Sequence, residues 1–319
     1  MKVMLIGCGA VGIGIAASLY DSGVNPTLIA HGATYDAVKN GGIERQGIFK
    51  HVKIPHGKIK VYKNAADAAE TGFDFVIVCS KTTASEQVAA ELGGVKGLLS
   101  ENGRIVLFQN GFNNDLPFLE YFDKSCMCAG IIITGFERPS RNISVVTVHS
   151  APALIGCIYG GNGGAQDLAS AISQGGLPCE TTDEIQKTMW SKMLYNCTLN
   201  PLGAVLDTNY GGLAASPDAV FLMNKIIEEI FAVMKAAGYS THWENAEQYK
   251  KDFYEKILPP TYGHRASTLQ DIERKIKTEI DSLTGVIVRL GEKFSIDVPV
   301  NSMIYRLVKA KESLYKNEK

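Results

Sequence analysis

The stretch KVMLIGCGAVGIGIAASLYDS, residues 2–22, decides the fold of this chain. Residues 2–6 form a run that is apolar and partly β-branched after Lys2, which is typical of a short buried strand. A helical pattern follows over residues 11–22, and residues 7–12 between the two spell GCGAVG, a match to G-x-G-x-x-G. This motif binds a dinucleotide when it directly follows a strand and opens a helix. The order of elements therefore predicts a dinucleotide-binding βαβ unit.

The three glycines of the turn have separate roles in such a unit. Gly7 permits the tight turn, Gly9 lets the backbone approach a pyrophosphate, and Gly12 lets the helix pack against the strand. The first N–H groups of the helix and its partial positive charge then face the phosphates. A glycine-rich turn of an apolar helix, without a ligand, is the alternative interpretation. We predict that the whole turn contacts the cofactor: Gly7, Cys8, Gly9, Ala10, Val11 and Gly12.

Strand and helix patterns alternate along the first part of the chain and give way to helices in the second. The alternation implies parallel strands with helices on both faces of a sheet. From about residue 181 the pattern is helical, which places a domain boundary near residues 178–182. We therefore predict an α/β protein. Residues 1–180 form an N-terminal dinucleotide-binding domain with a Rossmann-type doubly wound sheet, and residues 181–319 form an all-helical C-terminal substrate and catalytic domain.

Hydrophobic periodicity predicts the individual elements. Strands are expected at residues 2–6, 26–30, 73–79, 103–108, 127–134, 143–149 and 153–158, with 43–61 as further strand or loop. Helices are expected at residues 11–22, 65–71, 86–99, 165–174, 183–199, 217–237, 243–257, 267–275, 278–293 and 300–316.

The composition is that of an ordinary globular protein. Of 319 residues, 45% are apolar and 20% are charged, and the 32 basic and 33 acidic residues give a formal net charge of −1. This balance gives no basic surface for a nucleic acid or a membrane, so we expect neither as a partner. The first 20 residues also allow a signal-peptide interpretation, but four glycines interrupt them in the pattern of the motif above.

Cysteine and histidine spacing favours neither disulfides nor a metal site. The seven cysteines form an odd set without regular spacing, which argues against a disulfide framework. We expect reduced thiols and a cytoplasmic protein. The six histidines show no metal-ligand spacing, so no metal site is predicted. The sequence leaves the oligomeric state open, because apolar helices of the second domain can form a homodimer face or only a core.

The residues after the second predicted strand bear on which dinucleotide binds. An acidic residue at the end of that strand would bond the ribose 2′-hydroxyl and favour NAD. The strand ends at residues 29–31, Ile-Ala-His, without Asp or Glu, and Asp36 lies several residues beyond. A 2′-phosphate would need a cation, which His31 or Lys39 can supply. We predict His31 as a cofactor-binding residue and NADP as the cofactor, with NAD left open because no arginine stands there.

The most informative segment of the second domain is MWSKMLYNCTLNP, residues 189–201. Lys192, Asn196 and Asn200 recur at i, i+4 and i+8, so they lie along one face of a helix. The residues between them are mostly apolar, and a buried stripe of one amine and two amides is costly unless something satisfies it. One interpretation is a polar network between helices, or a lysine that extends to solvent. The other is a site lining, in which the amides orient a polar ligand and Lys192 protonates a developing alkoxide.

A second polar cluster runs over residues 267–281. Residues 267–270, Ser-Thr-Leu-Gln, have a capping-box pattern, and residues 278–281 have the analogous Thr-x-x-Asp pattern. Both segments therefore have a structural interpretation as helix starts. Glu279 would then lie in the first turn of its helix, where a carboxylate is favourable.

Motifs along the whole chain match a known family. The chain resembles the ketopantoate reductases (2-dehydropantoate 2-reductases) over essentially its whole length and in order. The matching motifs are GCGAVG at 7–12, CSKT at 79–82, QNG at 109–111, WSKxxxNxxxNP at 190–201, SxxQD at 267–271 and TEIDxxxG at 278–285. The lysine and glutamate motifs are much more specific than the glycine turn.

The resemblance implies a role for each matching residue. Lys192 matches the family's general acid, which protonates the ketone oxygen. Glu279 matches the acidic residue that helps to order cofactor and substrate, so both are expected to be catalytic. Lys81 and Asn110 match residues beside the nicotinamide end of the cofactor, which Glu279 also contacts. The implied substrate contacts, besides Lys192 itself, are Asn196, Asn200, Ser267, Thr268, Leu269 and Gln270.

The chain departs from the family pattern at two positions. Members commonly carry an arginine where this sequence has His31, and a further substrate-contacting asparagine would fall near Tyr210, with Asn209 one residue away. The resemblance implies NADP-dependent reduction of ketopantoate, a small 2-keto acid, to pantoate, in pantothenate and coenzyme A biosynthesis. One alternative is a related enzyme for another 2-keto or 2-hydroxy acid, with NAD as its cofactor. Another is a dinucleotide sensor without turnover.

Overall fold

The computed structural model describes residues 1–160 and 164–315 of a chain that divides into two units. Unit 1 comprises Met1–Gln109 and Asn114–Ile185, and unit 2 comprises Asn110–Asn113 and Gln186–Lys319. The described strands all lie in unit 1. In the parts of the chain that the structure covers, no helix has both the length and the apolar character needed to cross a bilayer.

The described residues of unit 1 form twelve strands and four helices. The strands are β1 (Val3–Ile6), β2 (Thr27–Ile29), β3 (Ile43–Gly47), β4 (Val52–Ile54), β5 (Lys60–Tyr62), β6 (Phe73–Val78), β7 (Leu99–Leu107), β8 (Met127–Ile131), β9 (Thr134–Ser140), β10 (Ile143–His149), β11 (Ala153–Cys157) and β12 (Cys179–Thr181). The helices are α1 (Ala10–Asp21), α2 (Gly32–Gly41), α3 (Ser85–Gly93) and α4 (Gln166–Gln174). Short 3₁₀ turns lie at Ala66–Ala68, Thr82–Ala84, Phe118–Glu120 and Lys124–Cys126.

Eight strands form the main sheet, in the order β12-β11-β8-β7-β6-β1-β2-β5. Neighbouring strands are parallel except β11 and β8, which are antiparallel. The strand order reverses at β1, because β2 lies on one side of it and β6 on the other. Ligands of such sheets bind at the carboxyl ends of the strands beside this switch point. The loops after β1 and β6 are therefore the expected ligand-binding loops.

Both faces of the main sheet are buried. Val3 and Leu5 of β1 pack into one apolar core, and Met4 and Ile6 pack into another. Successive side chains of a strand point to opposite faces, so the two cores cover the two sides of the sheet. Helix α1 packs into the first core and α3 into the second. This doubly wound arrangement confirms the predicted Rossmann-type fold.

A second sheet of four strands, in the order β4-β3-β10-β9, packs against α1. Strands β3 and β10 are parallel, and the two outer pairs are antiparallel. The buried guanidinium of Arg45 donates to the hydroxyl of Ser18 and to the carbonyls of Lys50 and Gly175. These hydrogen bonds attach the second sheet to α1. Strand β9 of that sheet lies alongside the same helix.

Unit 2 is helical, which confirms the predicted all-helical second part of the fold. Its helices are α5 (Ile185–Leu206), whose first residue belongs to unit 1, α6 (Tyr210–Ala215), α7 (Pro217–Ala236), α8 (Ala246–Asp252), α9 (Ser267–Glu273), α10 (Thr284–Phe294) and α11 (Pro299–Leu314). A π-helical turn at Phe253–Ile257 follows α8, and a 3₁₀ turn lies at Pro259–Thr261.

Some elements differ from those expected. Residues 65–71 form only a 3₁₀ turn, and α3 ends at Gly93, since the chain turns there before β7 instead of continuing as helix to residue 99. The expectations omit α2, α6, β9 and β12. Helix α2 gives little periodicity because Val38 is its one buried residue and glycines stand at both of its ends. The last predicted helix matches α11, but its final residue, 316, lies outside the described residues.

Candidate active site

The glycine turn of unit 1 joins β1 to α1 as a closely packed loop. A Cβ on Gly7, whose φ is +94°, would lie 2.4 Å from the backbone nitrogen of Ser80. A Cβ on Gly12 would lie 2.1 Å from the carbonyl oxygen of Gly7. Gly9, the N-cap of α1, differs because no described atom lies within 4 Å of the Cβ it would carry. The fold itself requires Gly7 and Gly12, whereas glycine at position 9 leaves space that a ligand can use.

The first turn of α1 offers backbone donors. It has no side-chain cap and no acidic residue, and the first N–H groups of a helix, here from Ala10 onward, have no partner within it. The Cys8 thiol points inward to the carbonyl oxygen of Ile29, at 3.8 Å, and burial raises its pKa to about 12. Cys8 can therefore meet a ligand only through its backbone, and its thiol stays protonated. Val11 is half-buried in the same turn.

The loop after β6 lies beside the glycine turn. The Ser80 hydroxyl is buried and has no hydrogen-bond partner among the described residues. Gln109 fixes the loop, because its Nε2 donates to the carbonyl oxygen of Ser80 at 2.9 Å and to the hydroxyl of Ser85 at 3.0 Å. Lys81 is exposed at the start of the next 3₁₀ turn. A buried hydroxyl without a partner among the described residues, in a loop whose backbone packs against Gly7 of the glycine turn, fits a polar ligand such as a dinucleotide.

His31 lies where β2 gives way to α2. It is the N-cap of α2, is exposed, and makes no side-chain capping hydrogen bond. Lys39 is in the last turn of the same helix. Over the described ranges, no three His, Cys, Asp or Glu side chains form a group that could hold a metal ion.

Lys192 lies on α5 in unit 2 and is half-buried. Burial lowers its pKa to about 8, while the negative charge of Glu279 acts in the opposite direction. An ammonium group with this pKa is still mostly charged at neutral pH, yet it gives up its proton more readily than an exposed lysine. These are the properties that a proton donor needs.

Asn110 reaches Glu279 from a short segment that belongs to unit 2. Its Nδ2 donates to Oε2 of Glu279 at 3.5 Å. Gly111 has a φ of +108°, and a Cβ there would lie 2.3 Å from the carbonyl oxygen of Ser282. The backbone N–H of Phe112 donates to the same oxygen at 3.1 Å. The segment is thus held against the turn that follows Glu279.

Glu279 lies in a turn ahead of α10, not in the first turn of that helix as expected. Helix α10 begins at Thr284. The backbone N–H and the hydroxyl of Thr278 donate to Oε1 of Glu312, at 2.7 and 2.6 Å. The Thr278 hydroxyl also accepts from the backbone N–H of Ile280 at 3.3 Å, as a capping side chain does, but no helix follows until Thr284, so the predicted helix start at residue 278 is wrong. The structure brings three predicted residues together here: Lys192, Asn110 and Glu279.

The two predicted asparagines of α5 are buried. The side-chain oxygen of Asn200 accepts a hydrogen bond from the Tyr210 hydroxyl at 2.5 Å, which leaves its Nδ2 group as the donor for a ligand. The side chain of Asn196 makes no hydrogen bond within the described part of the chain, although the residue is only 9% exposed. A polar network between helices thus accounts for Asn200 in part and does not account for Asn196.

The predicted segment 267–270 begins α9. Ser267 is exposed and is the first helical residue, while Ala266 is the N-cap and makes no side-chain cap. The Gln270 amide donates to the carbonyl oxygen of Arg265 at 3.0 Å. The expected capping box is therefore absent at Ser267, because that residue stands one position too far along. Thr268 and Leu269 are buried in unit 2.

Sequence reasoning missed two residues that contact predicted ones. The Arg138 guanidinium, on β9, donates to the carbonyl oxygen of Cys8 at 2.9 Å across 130 positions of sequence. No local pattern marks such a residue. Tyr210 stood out only as a departure from the family pattern, and the structure shows that its hydroxyl ties down Asn200.

Two family models match this chain in sequence. The model described as "Ketopantoate reductase PanE/ApbA" matches residues 3–158. The model described as "Ketopantoate reductase PanE/ApbA C terminal" matches residues 184–312. Together they cover most of both units.

Individual relatives agree with these models. A 2-dehydropantoate 2-reductase of Aquifex aeolicus is 34% identical over 316 residues, which cover 98% of this chain and 97% of that protein. One from Archaeoglobus fulgidus is 26% identical, with 98% of each chain covered.

Solved structures show the same fold. A PanE/ApbA family ketopantoate reductase from Ralstonia eutropha has a TM-score of 0.84 at 26% identity, covering 99% of this chain and 100% of that one. D-mandelate dehydrogenase, solved with NADH and anilino(oxo)acetate, has a TM-score of 0.85 at 22% identity, with 99% of each chain covered. The matches to the family models and to the Aquifex enzyme show that this chain belongs to the ketopantoate reductase family, whose members are NAD(P)-dependent oxidoreductases.

Proposed function

We propose that this protein reduces ketopantoate to pantoate with NADPH, a step in pantothenate and coenzyme A biosynthesis. Residues 1–180 bind the dinucleotide in this proposal, and residues 181–319 bind the keto acid and supply the proton. The observation that carries it is the half-buried Lys192 ammonium, with a pKa lowered to about 8, in the field of the Glu279 carboxylate.

The residues around the carboxyl ends of β1 and β6 fit a dinucleotide. The backbone of the glycine turn would hold the pyrophosphate, and the orphan hydroxyl of Ser80 would gain a partner. Lys81, Asn110 and Glu279 would contact the nicotinamide end, as the family resemblance implies. When bound, NADPH supplies the hydride that the ketone carbon receives.

Lys192 protonates the ketone oxygen in this proposal. As the carbonyl carbon is reduced, negative charge develops on that oxygen, and a nearby ammonium stabilises the charge and transfers a proton to it. A donor whose pKa lies near the working pH is well suited to this transfer. Glu279 favours the charged form of Lys192, so that the proton is present when the substrate arrives.

The keto acid would be oriented by donors of unit 2. Nδ2 of Asn200 can donate because its oxygen is already committed to Tyr210, and the buried side chain of Asn196 has its hydrogen-bonding groups still to be satisfied. The resemblance adds the segment 267–270, of which Ser267 is exposed. These contacts fix the position of the ketone relative to the Lys192 ammonium.

The direct test is consumption of NADPH and NADH with ketopantoate, by the unaltered protein and by Lys192→Ala. Loss of a general acid lowers kcat by roughly 10²- to 10⁴-fold, while the dissociation constant for NADPH should change little. Lys225→Ala, which removes an exposed lysine of α7 in the same unit, is the matched control and should keep full activity. Near-normal turnover of Lys192→Ala would remove Lys192 from the mechanism.

A second candidate is reduction of a different 2-keto acid. The resemblance places a substrate-contacting asparagine near position 210, where this chain has Tyr210. The neighbouring Asn209 is used elsewhere, because its side chain caps α6 by accepting from the N–H of Gly212 at 2.9 Å. Steady-state rates with a panel of 2-keto acids and both cofactors distinguish the two candidates, and a higher kcat/KM for another keto acid would favour the second.

A further inference from the structure

The carboxyl end of β2 lacks the residues that usually choose between the two dinucleotides. In this fold the adenosine ribose lies there, where an acidic residue favours NAD and an arginine accommodates the 2′-phosphate of NADP. The chain has the exposed His31 at this position, and the exposed Asp36 lies further along α2. The end of β2 therefore supplies neither the acidic residue that favours NAD nor the arginine that favours NADP.

An arginine reaches this place from the second sheet. Nη2 of Arg138, on β9, donates to the carbonyl oxygen of Cys8 at 2.9 Å, to the hydroxyl of Thr34 at 3.0 Å and to the carbonyl oxygen of Arg141 at 2.7 Å. Cys8 is in the glycine turn and Thr34 is in the first turn of α2. The guanidinium therefore bridges the two loops that flank an adenosine ribose in this fold.

Part of the Arg138 guanidinium is available to a ligand. Within the described residues, Nε and Nη1 make no hydrogen bond, and no carboxylate pairs with the side chain. Arg138 is an exposed residue. The Nε–H and Nη1–H groups point to different sides of the guanidinium, so each can give a single charge-assisted hydrogen bond to a phosphate oxygen.

A second cation lies beside the same strand end. Strand β5 pairs in parallel with β2, so Lys63, which directly follows β5, emerges next to the end of β2. Its ammonium lies over the ring of Tyr35 in α2, 5.2 Å from the centroid. Lys63 too has no ion pair with a described carboxylate. Arg138 and Lys63 thus bring two positive charges without acidic partners among the described residues to the end of β2. Such a group of charges favours a strongly anionic ligand.

Resting on the proposed NADPH-dependent reduction, we infer that Arg138, Lys63 and Thr34 form the subsite for the 2′-phosphate of NADPH. They take the place of the strand-end arginine that this sequence lacks. Lys39, the other cation considered from the sequence, does not fit, because it lies seven residues after the start of α2, roughly 10 Å along the helix axis.

The test is a comparison of 2′,5′-ADP with 5′-AMP, which differ only in the 2′-phosphate, by calorimetric titration. The unaltered protein should bind 2′,5′-ADP more tightly. Arg138→Gln should weaken 2′,5′-ADP by about 10- to 100-fold, the range for charge-assisted hydrogen bonds, and leave 5′-AMP within about twofold. Lys63→Gln should weaken 2′,5′-ADP in the same direction, and Lys39→Gln is the matched control that should change neither.

Several outcomes would overturn the inference. Equal affinity of the unaltered protein for both nucleotides would do so without any variant. Equal losses for both nucleotides in Arg138→Gln would show that the arginine only supports the glycine turn. Should Arg138→Gln fail to fold, Lys63→Gln decides instead, and unchanged binding of 2′,5′-ADP by that variant counts against the subsite.

The ketopantoate assay separates this inference from the proposed function. If ketopantoate is reduced equally well with NADH and NADPH, the reduction stands and the subsite falls. If no keto acid is reduced but 2′,5′-ADP is preferred and Arg138→Gln abolishes the preference, the subsite stands and the proposed function falls.

Discussion

In the proposed reaction, a single amine, that of Lys192, supplies the proton. Its surroundings act on its pKa in two opposite ways: burial favours the neutral amine, and the Glu279 carboxylate favours the ammonium. The balance, a pKa of about 8, keeps the group charged at neutral pH but close to releasing its proton. The activity should therefore depend on pH in a way that depends on Glu279.

We expect kcat/KM for ketopantoate to fall as the pH rises through about 8, by roughly tenfold per unit well above it, because the proton donor is lost. In Glu279→Gln this fall of kcat/KM, the alkaline limb of the pH profile, should move to lower pH. The negative charge that raises the pKa of Lys192 is absent from that variant. Glu273→Gln, which removes a carboxylate of α9 paired with Arg265, should leave the limb where it is. A limb unmoved in Glu279→Gln would show that Lys192 is not the titrating donor.

The glycines of the turn should separate binding from stability. Gly9→Ala places its methyl in open space, so the free energy of unfolding should change by less than about 1 kcal/mol, while affinity for NADPH falls at least tenfold. Gly12→Ala is the matched comparison, because its Cβ meets the Gly7 carbonyl oxygen at 2.1 Å, and it should destabilise the fold by roughly 1–3 kcal/mol. Thermal unfolding and NADPH titration measure the two effects. Unchanged NADPH affinity in Gly9→Ala would argue against a pyrophosphate at this turn.

The residues that could be predicted are those whose relation is local in sequence. Lys192, Asn196 and Asn200 share a helix face because of their spacing alone. Arg138 could not be found this way, since its contact with Cys8 depends on how the second sheet packs on α1. Glu279 was singled out by its motif, but the hydrogen bond from the neighbouring Thr278 to Glu312 of α11 is a long-range contact that no local pattern shows.

At the scale of elements, apolar periodicity predicts the strands and helices whose one face is buried. Strands such as β6, with five of its six residues buried, gave clear patterns, and so did the long helices of unit 2. Residues 278–283 also follow a helical pattern, yet they form turns, and α10 begins only at Thr284. The start of this segment, which carries Glu279, is held by the long-range hydrogen bonds from Thr278 to Glu312.

We expect Glu312→Ala to release this segment. Thr278 is fully buried, and its N–H and hydroxyl would lose their acceptor, so the free energy of unfolding should fall by about 1–3 kcal/mol. The activity should fall too, because Glu279 would no longer be held near Lys192. Glu292→Ala, which removes an exposed carboxylate of α10, should affect neither. Full activity of a destabilised Glu312→Ala would show that the position of Glu279 does not depend on this contact.

For the whole molecule, the strand order brings the proposed dinucleotide-binding residues of unit 1 to one place. Strand β1 lies between β2 and β6 and is parallel to both. The loops that follow β1 and β6 therefore leave the sheet at the same end. The first loop contributes the glycine turn, and the second contributes Ser80 and Lys81. These loops are far apart in sequence, and they meet because the sheet is parallel at this point.

NADPH should accordingly protect two distant stretches of sequence at once. At a concentration of 100 times its dissociation constant, a ligand stabilises the state that binds it by about 2.7 kcal/mol, and local opening of the contacted loops is suppressed. Amide hydrogen exchange, measured by mass spectrometry, should therefore be slower with NADPH than without it in peptides covering residues 7–14 and 79–85. The exposed turn at residues 56–58, between β4 and β5, serves as the internal reference and should exchange at an unchanged rate. Protection of the first stretch without the second would mean that the ligand does not span the switch point, because both loops end strands that are hydrogen-bonded neighbours.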